Sequence, residues 1–241
     1  MAKIHITMQG KGGVGKSFVS ATTAQYKIYK EHFPLCFDTD PINATFHGFK
    51  SLNVERLDIM EGDEINPRHF DALIEKIANT QNDVIIDNGA SSFVPLSHYL
   101  LANQVPTLLK ELGHELIIHT VITGGQALLD TTHGFSQLVT QFPQDIRFVV
   151  WLNPYWGKIE NEGKSFEQMR VYKETKDRIA AIINIPSLKE ETFGLDLSNM
   201  LQQKITFNEA IDSSERNIMT RQRLKLIRDQ LFNQIDDAMV I

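Results

Sequence analysis

The chain has 241 residues and a formal charge of −6, a length that suits one α/β domain with a substantial core. The acidic balance counts against a surface given over wholly to nucleic acid, although a local basic patch stays open. A single cysteine, Cys36, excludes an internal disulfide and a four-cysteine zinc site and points to a reducing compartment.

Lys3–Met8 is strand-like, and Gly10–Gly15 is a glycine loop. Lys16–Glu31 reads as a helix, and Pro34–Phe37 as a short buried strand that ends at Asp38-Thr39-Asp40-Pro41. His69–Asn79 has Phe70, Leu73, Ile74 and Ile77 at helical spacing. Asp83–Ile86 is a second buried strand, closed by Asp87. A strand over His114–Ile122, a helix over Gln126–Gln141 and a strand over Ile146–Leu152 follow, the last ending at Asn153-Pro154. Ala180–Ile185 is a late strand stopped by Pro186, and helices follow from about 190. The alternation predicts a single α/β domain over 1–241, its mostly parallel twisted sheet flanked by helices on both faces.

The strongest chemical signal is Gly10-Lys11-Gly12-Gly13-Val14-Gly15-Lys16-Ser17, which fits G-x-x-x-x-G-K-[ST] between a strand and a helix. Glycines let the backbone turn so that successive N–H groups face one concavity, and the following helix start adds its own amides. In such a loop Lys16 sits on the β- and γ-phosphates and the Ser17 hydroxyl ligates Mg²⁺. Without a ligand the same stretch is only a glycine-rich turn.

A magnesium nucleotide also needs carboxylates at the carboxyl ends of the strands. Asp38 and Asp40 follow one buried strand and Asp87 another, all on the edge that carries Ser17. Each could equally be an acidic turn closing its strand.

Lys11 inside the loop makes the pattern Lys-Gly-Gly-x-Gly-Lys-Ser, which resembles the deviant Walker-A ATPases, the family of the partition ATPases and the division-site ATPase MinD. The resemblance implies an ATP- and Mg²⁺-binding P-loop NTPase that hydrolyses ATP slowly. It implies that Lys11 reaches a partner's phosphates in an ATP-dependent homodimer. Asp40-Pro41 with Asn43-Ala44-Thr45 resembles the family's first switch, implying that Asp40 orients the attacking water and that Asp38 lies near the metal shell. Asp87 resembles the Walker-B aspartate that holds Mg²⁺ through water. The family often follows it with a proline pair, whereas Asn88-Gly89-Ala90 stands here, so the second-switch contacts are not carried over; the Gly89 amide remains available to a γ-phosphate. Asn153 stands where the family hydrogen-bonds adenine, and no Asn-Lys-x-Asp guanine motif is present. The resemblance thus assigns catalysis to Lys11, Lys16 and Asp40. It assigns nucleotide contact to Gly10, Lys11, Gly12, Gly13, Val14, Gly15, Lys16, Ser17, Phe18, Asn153 and Pro154, and the metal to Ser17, Asp38 and Asp87.

Longer segments resemble a family of conjugal-transfer proteins of broad-host-range plasmids. They are Asp38–Phe46, Ile59–Asn66, Trp151–Gly157 and Ile218–Leu224. That resemblance implies a partner in a plasmid transfer apparatus and a bacterial host. The opening residues lack the apolar core of a secretory signal, and no run approaches the roughly 18 apolar residues that span a bilayer. The expected location is cytoplasmic, with peripheral contact at the inner membrane left open.

The eight histidines do not cluster at a metal spacing; His114 and His119 fall on opposite faces of one strand. Cys36 lies before the first switch, the wrong place for a bridging cluster. From Arg216 to Arg228 five basic residues and no acidic one accompany a stripe of Leu224, Ile227, Leu231 and Ile235. Such a helix packs on its own domain or meets an anionic surface. The polar stretch Asn161–Met169 reads as a lid or a loop. Alternatives to a dimerisation switch are a partition-type ATPase that binds DNA non-specifically, a non-hydrolysing nucleotide-binding adaptor and a small-molecule ligase; DNA is not favoured.

Overall fold

The computed structural model describes residues 1–241. Its strands are β1 (Lys3–Thr7), β2 (Leu35–Asp38), β3 (Glu55–Arg56), β4 (Met60–Glu61), β5 (Glu64–Ile65), β6 (Val84–Asp87), β7 (Glu115–Thr123), β8 (Arg147–Asn153), β9 (Glu160–Asn161), β10 (Lys164–Ser165) and β11 (Ile179–Asn184). Its helices are α1 (Lys16–Tyr29), α2 (Phe70–Ala78), α3 (Phe93–Ala102), α4 (Val105–Glu111), α5 (Leu128–Gln141), α6 (Arg170–Thr175), α7 (Leu195–Gln202), α8 (Phe207–Asp212) and α9 (Ile218–Ala238).

Seven strands form one sheet in the order β11-β8-β7-β1-β6-β2-β3. Every pairing in it is parallel, so the expected mostly parallel sheet is fully so. The apolar runs explain why: a parallel sheet is covered on both faces, and its strands need no polar face. Side chains alternate between two layers. Ile4, Ile6, Ile118, Phe148 and Val150 face a core shared with α2 to α6. Ile117, Val121, Val149, Trp151 and Ile183 face the other, shared with α1 and the C-terminal helices.

The chain leaves β1 for β2, skipping the intervening place that β6 later fills. The reversal of strand order around β1 opens a crevice at the carboxyl edge, where doubly wound sheets take their ligands. The glycine loop, the turns after β2 and β6, and the turn after β8 all lie on that edge.

Several expectations are refined. Helix α1 stops at Tyr29, and Glu31 takes a left-handed φ of 63°. Asn161–Met169 is β10 of a β9–β10 hairpin and a 3₁₀ turn capped by Ser165 and Gln168, with Phe166 and Met169 buried. His119 is buried, and His114 nearly so. In α9, Leu224, Ile227, Leu231 and Ile235 are buried in the domain. Arg223 pairs with Asp196, Arg228 with Asp229 and Asn208, Arg221 with the Ile211 carbonyl and Arg216 with Gln203. The amphipathic stripe is therefore a packing face. No helix is long and apolar enough to cross a membrane.

Candidate functional site

Strand β1 hands directly to the glycine loop through Gln9, which is buried. Its amide nitrogen donates to the carbonyls of Val121 and Thr131, both at 3.1 Å, tying the loop's entrance to β7 and α5. A Cβ on Gly134 would lie 2.5 Å from Gln9 Oε1, so α5 needs glycine there to let this side chain lie flat.

Within the loop Gly13 and Gly15 have φ of 72° and 104°, the left-handed region that admits glycine without strain. These two residues let the loop turn tightly, and two of its carbonyls are met by the turn after β8. Asn153 Nδ2 donates to the Val14 carbonyl at 2.9 Å and Trp156 Nε1 to the Gly13 carbonyl at 3.1 Å. The turn after β8 thereby clasps the loop from outside. Asn153 Oδ1 accepts from the Tyr155 amide, which leaves its second lone pair and its second amide hydrogen for a ligand. Phe18 packs against the α1-side core, and Pro154 starts a 3₁₀ turn.

Lys16 is nearly buried and its ammonium donates to the Lys11 carbonyl at 3.0 Å. Burial lowers its pKa, while Asp87 and Asp40 oppose the shift. The Lys11 side chain points the other way and pairs with Asp130 on α5 at 2.7 Å.

Asp87 ends β6 and is buried. Ser17 Oγ donates to its Oδ2 at 2.5 Å and Ser20 Oγ to its Oδ1 at 2.9 Å. Burial pushes its carboxyl up to about 7, and the neighbouring Asp38 charge adds to the rise. A buried carboxylate repelled by a second one gains from a cation beside it. Ser17 and Asp87 are hard oxygen donors suited to Mg²⁺, which takes few protein ligands and fills its octahedron with water and phosphate oxygens. No group of three or more His, Cys, Asp or Glu side chains that could hold a metal ion is present.

The turn after β2 lies beside this pair. Asp38 is fully buried and accepts from the Asp40 and His47 amides, both at 2.9 Å; burial raises its pKa. Its oxygens thus hold the loop after β2, a job the sequence did not suggest. Asp40 Oδ1 accepts from the Ile42 and Asn43 amides and rests on Gly89, where a Cβ would come within 2.6 Å of the Asp40 Cγ. Asn88 is buried and bridges the turns after β2 and β6. Its Oδ1 accepts from Thr39 and from Ser92, while its amide nitrogen has no partner. Gln9 and Asp130 carry no motif, while Asn88 and Trp156 sat in segments the sequence singled out without a contact assigned to either.

A second concavity of about 700 Å³ shares Pro154 and Gly157 with the turn after β8. It is lined further by Leu152, Lys158, Phe166 and Ile185, on the β9–β10 hairpin side.

No family profile matches the chain. Two proteins of Escherichia coli called Protein TraL are 65% and 64% identical to it over all 241 residues, covering each chain completely. Among solved structures, the MinC:MinD cell division protein complex of Aquifex aeolicus aligns at a TM-score of 0.56 and 16% identity, over 96% of both chains. The MinD cell division protein of Aquifex aeolicus aligns at 0.53 and 14%, over 96% of this chain and 98% of that one. At such identities these likenesses show the fold, a MinD-type P-loop α/β sheet.

Proposed function

The chain belongs to the TraL family, and from that membership we propose that it is an ATP-driven dimerisation switch serving plasmid conjugative transfer. The observation that carries the reading is the convergence of four elements on one edge: the Gly10–Gly15 nest, Lys16, the Ser17–Asp87 pair and Asp40 above Gly89.

In this reading ATP lays its phosphates in the nest, against the loop amides and Lys16. Ser17, and Asp87 through water, hold Mg²⁺; Asp38 stays behind them as the post that carries the first switch. Mg²⁺ neutralises phosphate charge, while the protein positions groups. Asp40 orients a water toward the terminal phosphate. Lys11 leaves Asp130 and crosses to a second copy's phosphates, so that two chains close on two nucleotides. Hydrolysis removes the γ-phosphate that orders the switches and lets the dimer part. The partner is a protein of the transfer machinery. Arg221, Arg223 and Arg228 of α9 are engaged within the domain and Lys225 is exposed, so most of the helix's basic charge is committed to the fold.

Molecular mass in solution tests the reading. Light scattering on Asp40→Ala is expected to give a monomer with ADP·Mg²⁺ and a dimer with ATP·Mg²⁺. Lys11→Ala in the same background should stay monomeric in both while still binding nucleotide. One mass in both nucleotides for Asp40→Ala would reject the switch and favour the non-hydrolysing adaptor.

A further inference from the structure

We propose that Trp156 is the stacking wall for the nucleotide's base, a role that rests on a nucleotide occupying the glycine loop. Asn153 and Trp156 tether consecutive carbonyls of that loop, Val14 and Gly13, so the indole lies along the loop's rim beside the residue proposed to hydrogen-bond the base. The ring's one polar atom is spent on the tether. Its apolar face is not spent: Trp156 is 57% exposed, although a tryptophan's apolar area is ordinarily buried. The tether also fixes the ring, because Nε1 is held at 3.1 Å to the loop, and the Tyr155 ring packs edge-on against it with centroids 4.9 Å apart. Gly157 follows with a φ of 122°, and its carbonyl lies where a Cβ on Gly124 would come within 2.1 Å, so the turn is seated on the Gly124-Gly125 backbone.

A preset aromatic plane at a phosphate nest favours a flat heterocycle one ribose away from the phosphates. Stacking is weakly selective among bases, so Trp156 supplies affinity for a nucleotide over bare phosphate, and discrimination falls to the free hydrogen-bonding atoms of Asn153.

The other tryptophan provides the internal control. Trp151 is completely buried and donates to His119 Nδ1 at 3.0 Å, so its emission should not follow the ligand. The experiment titrates the full chain with ADP·Mg²⁺ and with pyrophosphate·Mg²⁺, by calorimetry and by tryptophan emission excited at the red edge. ADP is expected to quench the Trp156 emission and pyrophosphate to leave it largely unchanged. Trp156→Leu should weaken ADP about 5- to 150-fold, the loss typical of one base–aromatic stack, with pyrophosphate affinity within about twofold. Trp156→Phe, which loses the tether and keeps a ring, should recover most of the ADP affinity. Equal losses for ADP and pyrophosphate, or a Phe variant as weak as the Leu variant, would make Trp156 only a prop for the loop and overturn the stacking role. Failure of wild type to bind either ligand would remove the nucleotide reading itself, and the inference with it.

Discussion

The Lys11 ammonium lies 2.7 Å from the Asp130 carboxylate, with 46% and 58% of the two side chains exposed. An ion pair so open to water contributes little. It is a parking place that restrains Lys11 without trapping it. Opening two such pairs per dimer, each worth roughly 0.2–1 kcal/mol, should cost assembly about 2- to 30-fold. Asp130→Asn is accordingly expected to tighten the ATP-dependent dimer by that factor, read by sedimentation equilibrium in the Asp40→Ala background. A weaker dimer would mean that Asp130 itself contacts the second copy.

Gly89 carries the seat of Asp40. Its Cβ in Gly89→Ala would meet the Asp40 Cγ at 2.6 Å and Oδ1 at 2.9 Å, and must push the carboxylate off its place. Displacements of that size typically cost about 10- to 100-fold in rate. We expect the ATP turnover of Gly89→Ala to fall by that much while its ADP affinity stays within about threefold. Steady-state phosphate release and ADP calorimetry give the two numbers.

The buried histidine pair makes the fold acid-sensitive. His5 Nδ1 and His119 Nε2 are 3.0 Å apart. Burial lowers the pKa of His119 from its usual 6.5 to about 3, and burial together with the His119 charge lowers that of His5. A base with a lowered folded pKa binds fewer protons folded than unfolded. Its stabilising contribution is thus complete above pH 6.5 and lost as pH falls through 6.5 toward the folded value. Between pH 7 and 5 His119 should remove about 2 kcal/mol of stability, and His5 acts in the same direction. In urea melts at the two pH values, His119→Gln should shrink that difference by about the same amount.

Arg178 closes the end of α5. Its guanidinium donates to the carbonyls of Val139, Phe142, Pro143 and Ile146 and lies over the Phe148 ring, 5.3 Å from its centroid. Arg178→Met keeps the stem and strips the donors, leaving several carbonyls short of partners. A loss of about 2–4 kcal/mol in chemical denaturation is expected, with ADP affinity unchanged, since the residue is remote from the loop.

What could be read beforehand was what depends on neighbours in the chain. The strand–loop–helix of Lys3–Tyr29, the carboxylates that close β2 and β6, and Asn153 at the end of β8 all announce themselves within a few residues. Helices α3 and α4 escaped because Phe93–Leu101 is apolar around most of its turn and holds Pro95, which blurs a helical period. The β9–β10 hairpin escaped because its strands are two residues each. The contacts of Gln9, Asn88 and Asp130 were hidden for another reason. Their partners lie up to 122 residues away, as Thr131 does from Gln9, and no local pattern encodes such a meeting.

Helix α9 closes the molecule in time as well as in space. Tyr26 of the phosphate helix donates to Asp236 at 2.6 Å, Lys30 pairs with the same carboxylate, and Phe232 packs edge-on against Tyr26. Val14 and Val19, beside the glycine loop, share their core with Leu224, Ile227 and Leu231. Synthesis runs from the N-terminus, and a nascent chain packs only what has emerged. Helix α1 therefore waits for residues as much as 210 positions further along the chain before it is clamped. During translation the glycine loop exists long before it has a rigid back wall, so a nascent chain that lacks α9 should carry a loosely held loop.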